Sequence, residues 1–151
     1  MAGLFDEESG GLVTYWKTIS AITSRIGTGT SMRATADVAR EKWTGQFLVY
    51  TRGTGGTVFN NHRGPTGARI SLVHVYAWGD SRTDADALIE AVKLAMQSGF
   101  ARNTWSGVYI NRCLIDEPPD DGHDPPFDGS DKKKFWSRLV LRITHAEGGG
   151  T

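Results

Sequence analysis

The sequence has only one cysteine, no basic excess and no long apolar run, and each absence excludes a class of protein. Cys113 alone forms no intrachain disulfide and supplies no thiolate cluster for a metal. The 17 Lys and Arg residues match 17 Asp and Glu residues, whereas proteins that wrap nucleic acid usually carry a basic excess. No stretch approaches the ~18 apolar residues of a membrane span, and the acidic N-terminus is unlike a signal peptide. We therefore expect a soluble protein, made inside a cell, with no membrane contact.

The chain is long enough for one ordinary domain with a core of its own. Its 151 residues are 38% hydrophobic and 10% aromatic. A chain of this length typically buries about 70% of the surface that its unfolded form exposes. We expect a single domain over 1–151 with its core at about 10–146. The ends, 1–9 and 147–151, are predicted to be flexible, and the glycine-rich second one has nothing to bury.

Two segments have the periodicity of amphipathic helices. Across 11–26 apolar residues recur every three or four positions, and Gly27 follows as the left-handed residue that commonly ends a helix. The second helix begins after Ser81, which offers an N-cap, and ends near residue 98. We expect both apolar stripes to pack on a sheet.

Four segments are predicted to be strands: 46–51, 68–78, 107–115 and 135–146. The second of them has apolar residues on both faces, which is typical of a central strand, and His74 and His145 are predicted at inward positions. Loops are predicted at 53–67, which is rich in glycine, and at 116–134, which is charged and contains proline. The order of elements predicts an α+β fold, a two-layer sandwich with two helices packed on one side of a four-stranded, mainly antiparallel or mixed sheet.

No motif in the chain is typical of an enzyme. The glycines at 53–56 lack the spacing of phosphate-binding loops, and the acids at 116–131 fail the spacing of an EF-hand. The four histidines do not have the spacing of a zinc site, and Cys113 falls inside a predicted strand, where a buried inert thiol is usual. We expect no catalytic residue, no cofactor and no metal. Contact surfaces are then the leading candidates for function.

Part of the chain resembles a known protein family. Over Val73–Val92 a hydrophobic strand ending in Trp78 passes through a short polar turn into an alanine-rich helix, and Phe47–Tyr50 forms an earlier hydrophobic strand. This pattern resembles the tail terminator (tail completion) proteins of long-tailed, siphovirus-type phages, and the resemblance covers roughly 10–146. The chain departs from the family's pattern in lacking a proline just before its first strand and in the long charged loop at 116–134.

The resemblance implies a structural virion protein of the tail and neck, assembled in the host cytoplasm. It implies a ring, usually of six copies, that caps the tail tube, ends its polymerisation and joins the tail to the head connector. The implied partners are other copies of this chain, the tail tube protein, the head-completion or connector protein and the tape measure protein. DNA would pass through the lumen without specific binding.

Charged residues and tryptophans at the edges of elements are the candidate contact residues. Large aromatics at such positions often anchor protein contacts, and the stretch 116–134 changes from acidic to basic along its length. We expect contacts to neighbouring copies or adjacent rings to involve Trp43, Arg52, Arg63, Trp105, Asp120, Asp121, Asp124, Lys132, Lys133 and Lys134.

Other functions stay open at this point. Another neck component, such as a head-completion protein, would have a similar sequence character. A small nucleic-acid-binding module would gather bases on one face, namely Arg33, Arg40, Lys42, Arg52, Arg63 and Arg69. A metal-dependent hydrolase would use the acidic stretch.

Overall fold

Three helices and seven strands make up the part of the chain that the computed structural model describes, which is 11–28, 32–36, 45–52, 57–61, 64–98, 103–105, 108–124 and 134–146. The helices are α1 (Gly11–Lys17), α2 (Ser20–Ile26) and α3 (Arg82–Ser98). The strands are β1 (Ala34–Ala36), β2 (Phe47–Arg52), β3 (Thr57–Asn61), β4 (Gly64–Gly79), β5 (Asn103–Trp105), β6 (Val108–Asp124) and β7 (Lys134–Ala146).

Strand β4 lies at the centre of the sheet and has partners on both edges. On one edge it pairs antiparallel with β2, from Phe47 opposite Trp78 to Arg52 opposite Val73, and then with β3. On the other edge it pairs antiparallel with β7 as far as Gly79. The strand order is β1-β2-β4-β7-β6-β5, and only β1 with β2 is a parallel pair. The expected central strand and the α+β class are confirmed. The sheet has more than the four strands expected, because the short strands β1, β3 and β5 were not predicted.

Alternation along β4 gives the sheet two different faces. Val73, Val75 and Ala77 are buried in a large core that they share with all three helices. Tyr76 and Trp78 belong to a smaller cluster on the opposite face. The helices therefore form one layer, as expected, and the sheet forms the other.

Polar contacts orient the helices within their layer. The Tyr15 hydroxyl donates to the Ala95 carbonyl at 2.6 Å, and Trp16 Nε1 donates to Met96 Sδ at 3.4 Å. The Trp16 ring also meets Tyr50 of β2 edge-on, with centroids 5.6 Å apart. These contacts hold α1 against both the C-terminal part of α3 and the sheet.

The predicted first helix is in fact two helices. The Thr18 hydroxyl donates to the Tyr15 carbonyl at 2.6 Å, and Ile19 has an extended backbone. A threonine side chain that bonds a nearby carbonyl competes with the helical backbone, which explains a break that apolar periodicity does not reveal. Gly27 ends α2 as predicted, with φ 96° and its N–H donating to the Thr23 carbonyl at 2.9 Å.

Both predicted loops are partly strand. Strand β6 continues to Asp124 and β7 begins at Lys134, so the expected loop at 116–134 is wrong for 116–124 and for 134. Three register shifts along β6, the last of which contains both prolines, accommodate a sequence that is unusual for a strand. Likewise β3 and the start of β4 form an antiparallel pair inside the predicted loop at 53–67.

The β4–α3 corner follows the predicted capping pattern. Ser81 Oγ accepts a hydrogen bond from the Asp84 N–H at 3.1 Å, and the Ala85 N–H donates to the Ser81 carbonyl at 3.1 Å. The Gln46 side chain adds a bond from Nε2 to the Asp84 carbonyl at 2.8 Å. Gly79 passes so close to this turn that a side chain there has no room.

Replacement of Gly79 by alanine should destabilise the fold. The added Cβ would lie 2.7 Å from Asp84 Cβ and 2.9 Å from the Ala85 nitrogen, so the strand or the helix must shift. We expect a loss of about 1–3 kcal/mol in the free energy of unfolding, measured by urea denaturation. The control is Gly45→Asn: Gly45 has φ 74° with open space around it, so this change causes backbone strain alone, which is smaller for asparagine than for most residues. Equal losses in the two variants would contradict the steric explanation.

Candidate assembly surface

The structure separates the predicted contact residues rather than gathering them into one patch. Arg52 is exposed at the end of β2, opposite Val73, whereas Asp120, Asp121 and Asp124 belong to β6 on the far side of β7. Lys134 begins β7, and Trp105 belongs to β5, opposite Val108. Four candidates lie outside the described residues: Trp43, Arg63, Lys132 and Lys133.

The hairpin of β6 and β7 places acids opposite bases. Its register sets Asp120 opposite Arg138, and Asp124 opposite Lys134. Opposite charges at directly paired positions stabilise a sheet by about 0.2–1 kcal/mol. Two of the three candidate acids therefore hold register positions opposite bases of their own hairpin. The sequence carried no local signal for this pairing, because the register depends on three shifts along β6.

An aromatic cluster on the sheet face opposite the helices was not predicted. Phe47 and Trp78 stack with centroids 5.9 Å apart and planes 7° apart. Tyr76 and Trp136 meet edge-on at 5.6 Å. Phe47 is fully buried, whereas Tyr76 and Trp136 are half-buried at the margin of the cluster. The alternation of aromatics at 76 and 78 was the signal available in the sequence.

Three contacts hold the start of α3 to the start of β7. Ser137 Oγ donates to Asp86 Oδ1 at 2.6 Å, which explains why a serine interrupts the apolar alternation of this strand. Arg82 Nη1 donates to the Trp136 carbonyl at 3.0 Å. The Arg82 guanidinium also lies over the Phe135 ring, 5.3 Å from its centroid.

Arg33, one of the bases proposed for a nucleic-acid face, has a structural role. Its Nε donates to the Gln46 carbonyl at 2.9 Å, and its Nη2 donates to the Arg25 carbonyl at 3.0 Å. The Arg33 backbone also bonds Ile26 and Leu48. The side chain thus joins α2 to the residue that precedes β2. Of the other bases proposed for that face, Arg40, Lys42 and Arg63 lie outside the described residues.

The two histidines that were predicted at inward positions differ in burial and in the face of the sheet on which they lie. His145 is buried, and its Nε2 lies 2.8 Å from Ser71 Oγ, which is also buried, so the expected hydrogen-bonded core histidine is confirmed. The prediction for His74 was wrong: it is only half-buried and lies on the face away from the helices. Val73 and Val75 take the inward positions, and alternation assigns His74 to the other side.

Cys113 is a core residue. It is 3% exposed, and desolvation by burial raises the pKa of its thiol from 9.0 to about 12. The thiol therefore remains protonated at neutral pH and is a poor nucleophile. The predicted buried, inert cysteine is confirmed.

Comparison with models of known protein families and with curated proteins finds no match to this chain. Within the described ranges, no helix is long and apolar enough to cross a membrane. The same part of the chain contains no group of three or more His, Cys, Asp or Glu residues placed to hold a metal ion. Function must therefore be inferred from the chain's own elements and contacts.

The buried thiol predicts a pH dependence of stability. Because the folded pKa of Cys113 lies above its ordinary value, the unfolded state loses this proton first, and stability falls as pH rises from 9.0 towards about 12. Relative to a Cys113→Ala variant, the wild-type free energy of unfolding should fall by up to about 1.4 kcal/mol per pH unit in this window. Denaturant titrations at pH 8 to 11 measure the difference, and parallel curves would contradict it.

Proposed function

We propose that the protein is a phage tail terminator. In this role, copies of the chain form a ring that caps the tail tube, ends its polymerisation and joins the tail to the head connector. The observation that carries the proposal is the β4–α3 unit. A buried strand ending in Trp78 turns through Gly79 and the Ser81 cap into α3, as the resemblance to that family implies.

The order of elements gives further support. Helices precede β2, the β4–α3 unit follows, and the long β6–β7 hairpin closes the sheet. This order is the one that the resemblance implies over 10–146. Arg33 bonds a backbone carbonyl, and Cys113 is buried. Neither residue therefore favours nucleic-acid binding or thiol chemistry over a function in contact surfaces.

The two edges of the sheet differ, and assembly through two different surfaces of one chain is head-to-tail. The strand order begins with β1 and ends with β5, two short strands of different sequence, so the two edges are not equivalent. Contacts between two different surfaces of one chain generate rings when the rotation closes. In the proposed ring the tail tube protein, the connector protein and the tape measure protein are the neighbours, and DNA passes through the lumen without specific binding.

The mass of the purified protein in solution tests the proposal. Light scattering over a range of protein and salt concentrations, followed by particle imaging, should reveal a closed ring of about six copies. A protein that stays monomeric and binds DNA with a steep salt dependence would contradict the proposal and favour the nucleic-acid-binding module.

Charge reversal at 132–134 provides a second readout. Reversal of Lys132, Lys133 and Lys134 to glutamate should abolish the ring, because these bases are proposed to contact neighbouring copies or adjacent rings. The matched control reverses Lys17, Arg25 and Lys93, which changes the net charge equally but lies in the helix layer. Rings that persist in the first variant would count against this contact.

A further inference from the structure

Two large hydrophobic residues are exposed in the described part of the molecule, and they lie on opposite layers. Leu94 is 60% exposed on α3. Leu114 is 38% exposed on β6. Its neighbours Cys113 and Ile115 pack in the core beneath the helices, so alternation places Leu114 on the opposite face of the sheet. The helix layer and the outer face of the sheet therefore each have one exposed leucine.

A charged side chain of opposite sign lies beside each of these leucines. Glu90 lies one helical turn before Leu94, and its side chain is 54% exposed. Residues four apart share one side of a helix, so this surface combines a leucine with a carboxylate. On the outer face of the sheet, Leu114 lies directly opposite Arg142 of β7, which is exposed. That surface combines a leucine with a guanidinium.

We propose that α3 of one copy packs on the outer sheet face of the next copy, with Leu94 against Leu114 and Glu90 against Arg142. The inference rests on the proposed ring, whose neighbouring copies this contact would join. Two different surfaces of one chain meet here, and such head-to-tail contacts generate rings when the rotation closes. A second copy is the occupant because the chain's own helix layer carries the acid and the leucine that complement the sheet face.

The spacing of the side chains allows both pairs to form at once. Residues four apart on a helix have Cβ atoms about 5–6 Å apart, which is the separation between Glu90 and Leu94. Directly opposed residues of an antiparallel pair have Cβ atoms about 4.5–5.5 Å apart, which is the separation between Arg142 and Leu114. The two spacings match when α3 crosses the strands, with its chain direction running from β7 towards β6.

Interactions within each copy are compatible with this contact. Glu90 Oε1 lies 3.8 Å from Lys93 Nζ, and an exposed pair of this kind contributes little to stability. Arg142 has an interaction within the chain, but a guanidinium carries five N–H donors and can bind a carboxylate in addition. Contact between the two leucines removes apolar surface from water, and the neighbouring ion pair is then screened less by solvent.

Paired cysteines at positions 94 and 114 test the contact directly. Under mild oxidation, the double variant L94C with L114C should give covalent oligomers in roughly tenfold higher yield than T83C with L114C, because only close cysteines can form a disulfide. Thr83 is the matched control: it is exposed on the same side of α3, three turns earlier and about 16 Å away. Equal yields in the two variants would overturn the proposal.

Charge exchange tests the same contact without a new thiol. Glu90→Arg places two bases together, so the protein concentration at which half of the copies are in rings should rise about tenfold or more, measured by sedimentation. The double variant E90R with R142E keeps the wild-type net charge and should restore this concentration to within about threefold. A double variant that assembles no better than E90R would overturn the proposal.

Two controls accompany the charge exchange. Thermal unfolding of each variant shows that it is folded. Reversal of Lys93 leaves Glu90 and Leu94 in place, so it should not disrupt the ring.

The outcomes for this contact and for the ring are distinguishable. A ring of about six copies with equal yields of cross-linking in the two cysteine variants supports the tail terminator and overturns the contact. Selective cross-linking between positions 94 and 114 without a closed ring supports the contact and counts against the tail terminator. A protein that shows neither a ring nor selective cross-linking overturns the contact, and its affinity for DNA then decides the proposed function.

Discussion

The structure depends on the pairing of β4 along both of its edges. Because β2 and β3 use one edge and β7 uses the other, the positions of the remaining strands follow from this one strand. The register also decides the contents of both faces. A slip of one residue would exchange Val73 and Val75 for His74 and Tyr76 in the core beneath the helices. Such a slip would bury polar groups and expose apolar ones, so the register is strongly specified.

Burial supplies most of the stability of the helix layer, and its hydrogen bonds supply orientation. A fully buried large apolar side chain contributes about 1.5–3 kcal/mol, whereas a typical hydrogen bond contributes about 0.5–1.5 kcal/mol. Trp16 is fully buried, and so are Leu12 and Leu88. The bonds from Tyr15 and Trp16 to α3 are few, but they distinguish one packing of α1 from its alternatives. The apolar core therefore supplies most of the stability, and the hydrogen bonds from Tyr15 and Trp16 fix how α1 lies on α3.

Local patterns in the sequence were sufficient for the elements whose signals are local. The α3 cap at Ser81, the alternation in β4 and the break at Gly27 were all predicted from neighbouring residues. The extension of β6 was not, because acids and prolines are typical of loops, and only the pairing with β7 makes them a strand. The same limit applies to the candidate contact residues. That Asp120 lies opposite Arg138 depends on the accumulated register shifts, which no short segment encodes.

The end of β6 and its middle differ in the contacts that they can make. Two of the acids at the end hold register positions opposite bases of the same hairpin. The middle, at Leu114, has an exposed apolar side chain and an edge without a described partner strand. Contacts to β6 therefore involve charged positions at its end and the apolar Leu114 in its middle.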